Sequence, residues 1–285
     1  MTRNFRACVI PLCGLVLAAC TIGEVDRPDE GGSPTSAPQT ASSRPAAPTD
    51  SEDASADAPG AAALPVLSAP PGTAVVLAGE SGVASAGALE EGPAWSTSKI
   101  PLAIAALRAF PEDAQVAADV RAAIRVSDNE AAARLWAALG SPEEAGRAVQ
   151  RVLEDGGDER TRVETRVLRP GLSSFGQTAW SLEDQAAFAR ALPGLAGAGP
   201  VLDAMGEVAP EQSYGLGTVE GMRFKGGWGP DEEGRYTARQ VGVKETPCGI
   251  VAVALAARPS DGSYESAQRL LTEAARALPP RLGCA

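Results

Sequence analysis

Trp95-Ser96-Thr97-Ser98-Lys99-Ile100-Pro101-Leu102 sets an alcohol and an amine three residues apart at the head of an apolar, alanine-rich segment running from Ile100 to Phe110. If a helix begins near Ser96, the two side chains share one face. The serine then stands where unpaired backbone N–H groups and the positive end of the helix dipole favour a developing anion. An amine on the same face is placed to take the hydroxyl proton. Taken alone, Ser-x-x-Lys equally describes a capping serine followed by a surface lysine, and Pro101 suits the first turns of such a helix.

Composition singles out this lysine. The 285 residues contain no histidine, so a Ser-His-Asp triad, a Cys-His dyad and an imidazole zinc site are all excluded. A formal charge of -11, without clustered cations, argues against nucleic acid as a partner. Of the 25 basic residues only Lys99, Lys225 and Lys244 are lysines. Arginine keeps its proton in proteins, whereas a desolvated lysine gives it up. Any base working near neutral pH must therefore be a carboxylate or one of these few amines.

Two further stretches complete a set. Ser127-Asp128-Asn129 falls between two helical segments, where it could cap a helix or point a hydroxyl and an amide into a cleft. Lys225-Gly226-Gly227 reads as the end of a strand, or as a hairpin glycine pair after a surface lysine. In this order, at intervals of 31 and 98 residues, the three resemble the motif set of class A β-lactamases and penicillin-binding proteins. The resemblance implies that Ser96 is an acylated nucleophile and Lys99 its activating amine. It implies that Ser127 relays a proton to the leaving nitrogen, and that Lys225 supplies positive charge and holds Ser127. Asn129, Gly227 and Trp228 would line the substrate, with the N–H groups of Ser96 and Trp228 as the oxyanion hole; the Trp228 side chain could instead be packing. No metal and no cofactor is implied. The substrate would be a peptide-like or β-lactam small molecule, including peptidoglycan fragments.

The strand pattern fits the same architecture. Strand candidates sit at both ends, Ala74 to Ala78 and Val83 to Ala88, then Met222 to Gly226, Arg235 to Val243 and Ile250 to Ala257. Helical patterns fill the middle, with a capping box at Ser141-Pro142-Glu143-Glu144, and a final amphipathic helix covers about Ser263 to Leu278. The expected fold is α/β: an antiparallel sheet built from both chain ends with flanking helices, plus an inserted, shortened all-helical lobe.

Three departures bear on activity. No Glu-x-x-Leu-Asn string exists to supply the deacylating carboxylate; Glu159 and Glu164 lie in the corresponding stretch, Asp158 to Gly176, without the matching neighbours. Gly226 stands where the family carries Thr or Ser. The interval between the first two motifs is about half the family's, so a wall of the cleft is expected to be missing. Poor deacylation follows, and a non-catalytic protein binding cell-wall fragments or a protein partner on the same scaffold is the competing expectation.

The N-terminus speaks to location. A basic start, an apolar run from Ala7 to Ala19 and small residues before Cys20 form an export signal, and Leu17-Ala18-Ala19-Cys20 resembles a bacterial lipobox. Lipid attachment at Cys20 is implied, with an ordinary secretion signal or a buried strand as alternatives; the membrane is then contacted through the lipid anchor only, on its outer face. Residues 21–63 follow as an acidic Pro/Ser-rich tether without aromatics. The domain spans 64–285 and holds two cysteines, Cys248 and Cys284, expected to form one disulfide in an oxidising space.

Overall fold

A computed structural model describes residues 65–89, 91–280 and 282. In chain order the elements are β1 (Thr73–Gly79), β2 (Gly82–Gly87), β3 (Gly92–Pro93), a 3₁₀ turn (Trp95–Ser98), α1 (Lys99–Ala109), α2 (Ala114–Arg125), α3 (Asn129–Ala138), α4 (Pro142–Asp155), β4 (Ala179–Trp180), α5 (Leu182–Ala191), α6 (Gly199–Met205), β5 (Arg223–Pro230), β6 (Tyr236–Thr246), β7 (Gly249–Ala257) and α7 (Tyr264–Arg276). Five strands form one antiparallel sheet in the order β2-β1-β7-β6-β5, so the two ends of the chain meet where Val76 pairs with Ala254 and Leu77 with Val253. The mixed α/β architecture built from both ends is the one expected.

Alternation along the strands explains why the sheet is covered on both faces. Val75 and Leu77 of β1 join Val253 and Leu255 of β7 in a core closed by Ala267, Leu271 and Ala274, which recur on one stripe of α7. Val76, Ala78, Ala252 and Ala254 point the other way, into a larger core with α1, α2, α4 and α5. Every residue of α1 from Lys99 to Leu107 is buried. An alanine-rich helix passes through the centre of the helical body because its small side chains let neighbours approach from all sides.

The helix boundaries follow local chemistry. Asp113 caps α2 by accepting from the Gln115 and Val116 N–H groups, Asp128 caps α3, and Ser141 with Glu144 forms the expected reciprocal capping box of α4. One expectation is corrected: Ser96 does not begin an α-helix. It lies inside the 3₁₀ turn, and Lys99 is the first α-helical residue. The reason is Trp95, whose backbone is left-handed with φ of 50°, so the chain turns sharply before it can enter α1. Lys225 likewise lies within β5 rather than at a strand end.

Cys20 and the tether lie outside the described residues, as does Cys284; Cys248 occupies the exposed turn between β6 and β7. Among the described residues no helix is long and apolar enough to cross a membrane.

Candidate active site

Ser96 is held by the turn around it. The Ala94 N–H donates to Thr178 O at 2.7 Å, the Thr97 N–H returns to Ala94 O at 3.1 Å, and Ser98 Oγ donates to Trp95 O at 2.7 Å. Thr97 Oγ1 also donates to Ala94 O, and receives a 2.7 Å hydrogen bond from Nε2 of the fully buried Gln185 on α5. The nucleophile candidate thus sits half-exposed on a turn whose other hydroxyls are committed to structure.

Both predicted amines are buried, Lys99 at 2 % exposure and Lys225 at 0 %. Lys99 Nζ donates to Ser127 O at 2.7 Å, to Asn129 Oδ1 at 2.7 Å and to Ser127 Oγ at 3.3 Å. Lys225 Nζ donates to Ser127 Oγ at 2.9 Å and to Gly226 O at 2.8 Å. Burial first, and the neighbouring Lys99 second, hold the Lys225 amine well below the usual lysine range. Ser127 Oγ therefore accepts from two amines, which occupy its lone pairs and leave its own proton to be directed elsewhere. Its backbone is left-handed too, with φ of 58°. Among the described residues Trp95 and Ser127 alone among non-glycines adopt positive φ, and both adjoin the same cluster.

The third wall is β5. Lys225 and Gly227 lie on the face towards the Ser96 turn: a Cβ placed on Gly227 would stand 2.7 Å from Ser96 N and 2.9 Å from Ala94 O. Only glycine permits that approach, which brings strand and nucleophile backbone together. Trp228 points oppositely. Its indole stacks on Tyr264 of α7, with ring centroids 5.2 Å apart and planes at 25°, so its side chain is packing and only its backbone can serve the site. At Gly226 the nearest side chain is Gln240, at 3.7 Å from a notional Cβ, and Gln240 is already committed to the Leu216 N–H and to Tyr214 O.

The stretch from Asp158 to Gly176 is pinned by its own polar groups. Asp158 accepts from Trp180 Nε1 at 2.8 Å and from the N–H groups of Arg160 and Thr161. Arg169 donates to Pro230 O and Asp231 O at the far end of β5. Glu164 folds back on its neighbours: its carboxylate accepts from the N–H groups of Thr165 and Arg166 and from the Arg166 guanidinium, which holds it below the usual carboxylate range. Nothing in that set aims it at Ser96; the Glu159 backbone carbonyl accepts from the Arg162 guanidinium.

The fold thus gathers Ser96, Lys99, Ser127, Asn129, Lys225 and Gly227 from three separate stretches. Lys99, the first residue of α1, donates to Ser127 and Asn129 and so ties the first stretch to the second. Trp95, Thr97, Gln185 and Thr237 were not anticipated as part of the site. A signal for Trp95 existed in Gly227 and Gly229, two glycines spaced to bare one face of a strand.

No protein-family model matches the sequence, and no curated protein matches it either. Solved structures do. A variant of the last common ancestor of Gram-negative bacteria class A β-lactamase is 22% identical, with a TM-score of 0.55, over 72% of this chain and 90% of that one. The chromosome-encoded β-lactamase of Vibrio parahaemolyticus is 14% identical, with a TM-score of 0.55, over 72% and 90%. The ancestral class A β-lactamase is 20% identical, with a TM-score of 0.54, over 72% and 92%. At these identities the likeness establishes the fold alone, the one these class A β-lactamases share.

Proposed function

We propose that this chain is a lipid-anchored serine acyl-transfer protein of the bacterial cell envelope that forms an acyl-enzyme at Ser96 with a peptide-like or β-lactam substrate. One observation carries the reading: Ser127 Oγ lies between two buried amines, 3.3 Å from Lys99 Nζ and 2.9 Å from Lys225 Nζ, beside the Ser96 turn. Two desolvated amines around one hydroxyl are costly for packing alone, and such arrangements concentrate where protons move.

The chemistry follows from the contacts. Unprotonated, the Lys99 amine has two N–H bonds and a lone pair: the N–H bonds serve the 2.7 Å contacts to Ser127 O and Asn129 Oδ1, and the 3.3 Å donation to Ser127 Oγ belongs to the protonated form. That lone pair takes the Ser96 proton as Oγ bonds to the substrate carbonyl carbon. The oxyanion is met by the N–H groups of Ser96 and Trp228, where one donor is worth about 3 kcal/mol of barrier. As the C–N bond breaks, the leaving nitrogen takes the Ser127 proton, which is replaced from the lysines. Hydrolysis of the ester then needs a base for water. With Glu164 engaged by Arg166, the adduct is expected to persist.

The test is to incubate the folded protein with a fluorescent penicillin and a panel of activated esters, then map any mass increase. A long-lived adduct on Ser96, absent from Ser96→Ala of equal thermal stability, is expected. A folded protein that takes no adduct from any probe defeats the reading. A second reading, a non-catalytic envelope protein binding cell-wall fragments beside the Ser96 turn, is favoured by the engagement of Glu164 with Arg166, which leaves no placed carboxylate for deacylation, and by Gly226. It requires muropeptide binding undiminished by Ser96→Ala. The Cys20 lipid and the Cys248–Cys284 bridge belong to this proposal; metabolic labelling with a palmitate analogue and thiol counting test them.

A further inference from the structure

Trp95 precedes the nucleophile candidate, is 7 % exposed and holds a φ of 50°. A bulky residue seldom enters the left-handed region, so something must hold it there. The sheet does so. Alternation along β5 places Lys225, Gly227 and Gly229 on one face, and the last two, lacking side chains, leave a trough. Trp95 fills it: a Cβ on Gly227 would lie 2.9 Å from Trp95 Cβ, and one on Gly229 would lie 2.5 Å from the indole ring. At the far side of the ring, Nε1–H donates to Thr237 Oγ1 at 3.2 Å, and Thr237 is the residue of β6 that pairs with Gly229. Beneath the turn, the Trp95 carbonyl accepts from Ser98 Oγ and Thr97 is held by Gln185. Returning Trp95 to an ordinary φ would swing the ring out of its trough and move the adjoining Ser96 N–H away from Gly227.

We infer that Trp95 is a positioning residue: wedged over Gly227 and Gly229 and fastened to Thr237, its indole locks the left-handed turn that presents the Ser96 hydroxyl and N–H to a substrate. The kinetic part of this inference rests on the acyl-transfer reading above; the geometric part does not. A side chain that merely fills the core would change thermal stability and leave the acylation step of the surviving folded protein intact.

The experiment compares Thr237→Val, Trp95→Phe and Trp95→Ala with the parent. It measures thermal unfolding, the limiting acylation rate with a fluorescent penicillin separated by saturation from its non-covalent binding constant, and crystal structures. Thr237→Val is expected to lower the limiting rate about tenfold and Trp95→Ala about a hundredfold, as when an oriented donor at the reacting carbonyl is lost. The binding constant should stay within about twofold, and Trp95→Phe, which keeps a ring in the trough, should recover most of the rate. Limiting rates equal to the parent's in both Thr237→Val and Trp95→Ala overturn the inference. So does a Trp95→Ala structure in which residue 95 stays left-handed and Ser96 N stays over Gly227. If the parent takes no adduct, the crystal structures decide: a relaxed residue 95 with a displaced Ser96 upholds the positioning role while the acyl-transfer reading falls. If Trp95→Ala fails to fold, Thr237→Val, which leaves the ring in place, carries the test.

Discussion

Lys225 is a fully buried amine, hydrogen-bonded to a hydroxyl and a carbonyl and facing a second lysine. Its depressed proton affinity has a thermodynamic consequence. In the unfolded chain it titrates near 10.4, about the ordinary lysine value. Between the lower folded value and that one, the unfolded state binds the extra proton, so stability rises with pH. Below the folded value the full penalty of a buried ammonium is present; above the unfolded value it is gone. Lys225→Met removes the slope. The melting temperature of the parent minus that of Lys225→Met should therefore increase on going from about pH 7 to about pH 10; a difference that is flat or falls would show that the amine is not desolvated as described. Lys225, Lys99, Ser96 and Ser127 were legible in the sequence because lysine is so scarce here that two of three falling in ordered motifs carried information. Trp95 and Gln185 were not: no local pattern announces a positive φ on tryptophan, and Gln185 is one polar residue among several on α5 until the helix docks.

At the scale of elements, the stretch between α4 and β4 illustrates what polar groups do without regular structure. Asp158 is buried and satisfies Trp180 Nε1 and two backbone N–H groups. Asp158→Ala leaves those donors unpaired, at a cost of about 3 kcal/mol. For a domain of this size that corresponds to a fall in melting temperature of about 10 °C, read by calorimetry; a shift under about 2 °C would mean water replaces the carboxylate freely. Glu164 makes the opposite kind of prediction. Because its carboxylate is spent on Arg166 and local N–H groups, Glu164→Gln should leave the lifetime of a Ser96 adduct within about twofold of the parent, whereas loss of a general base costs at least about a hundredfold. A large increase in lifetime would reassign Glu164 as the water-activating group. Capped helices were readable from sequence because caps are local: Ser141 and Glu144 lie three residues apart. The two-residue strands β3 and β4 were not, since Gly92 and Trp180 meet only through the tertiary fold. The 3₁₀ entry to α1 escaped for the same reason, Trp95 being locked by strands more than a hundred residues downstream.

For the molecule as a whole, the decisive contact is the pairing of β1 with β7, which closes a sheet whose strands come from opposite ends of the chain. All seven residues of β1 are buried, with Val75 and Leu77 in the α7 core and Val76 and Ala78 in the helical core. Removing that strand opens both cores at once and turns β7 into an edge. At about 1.5–3 kcal/mol for each buried valine or leucine, losing Val75, Val76 and Leu77 forfeits about 5–9 kcal/mol, comparable to the entire stability of an ordinary domain. The segment before it is a different matter, because Leu67 and Ala69 are the earliest residues packed against a described core. A chain beginning at Leu64 is therefore expected to melt within about 2 °C of the longer protein and to react with the same penicillin probe. One beginning at Gly82 should show no cooperative transition and no adduct. If the chain starting at Leu64 fails to fold, residues 21–63 contribute to the domain and are not a tether. If the chain starting at Gly82 melts cooperatively and still reacts, the site does not depend on the sheet that joins the two ends, and the seating of the Ser96 turn against Gly227 of β5 loses its scaffold.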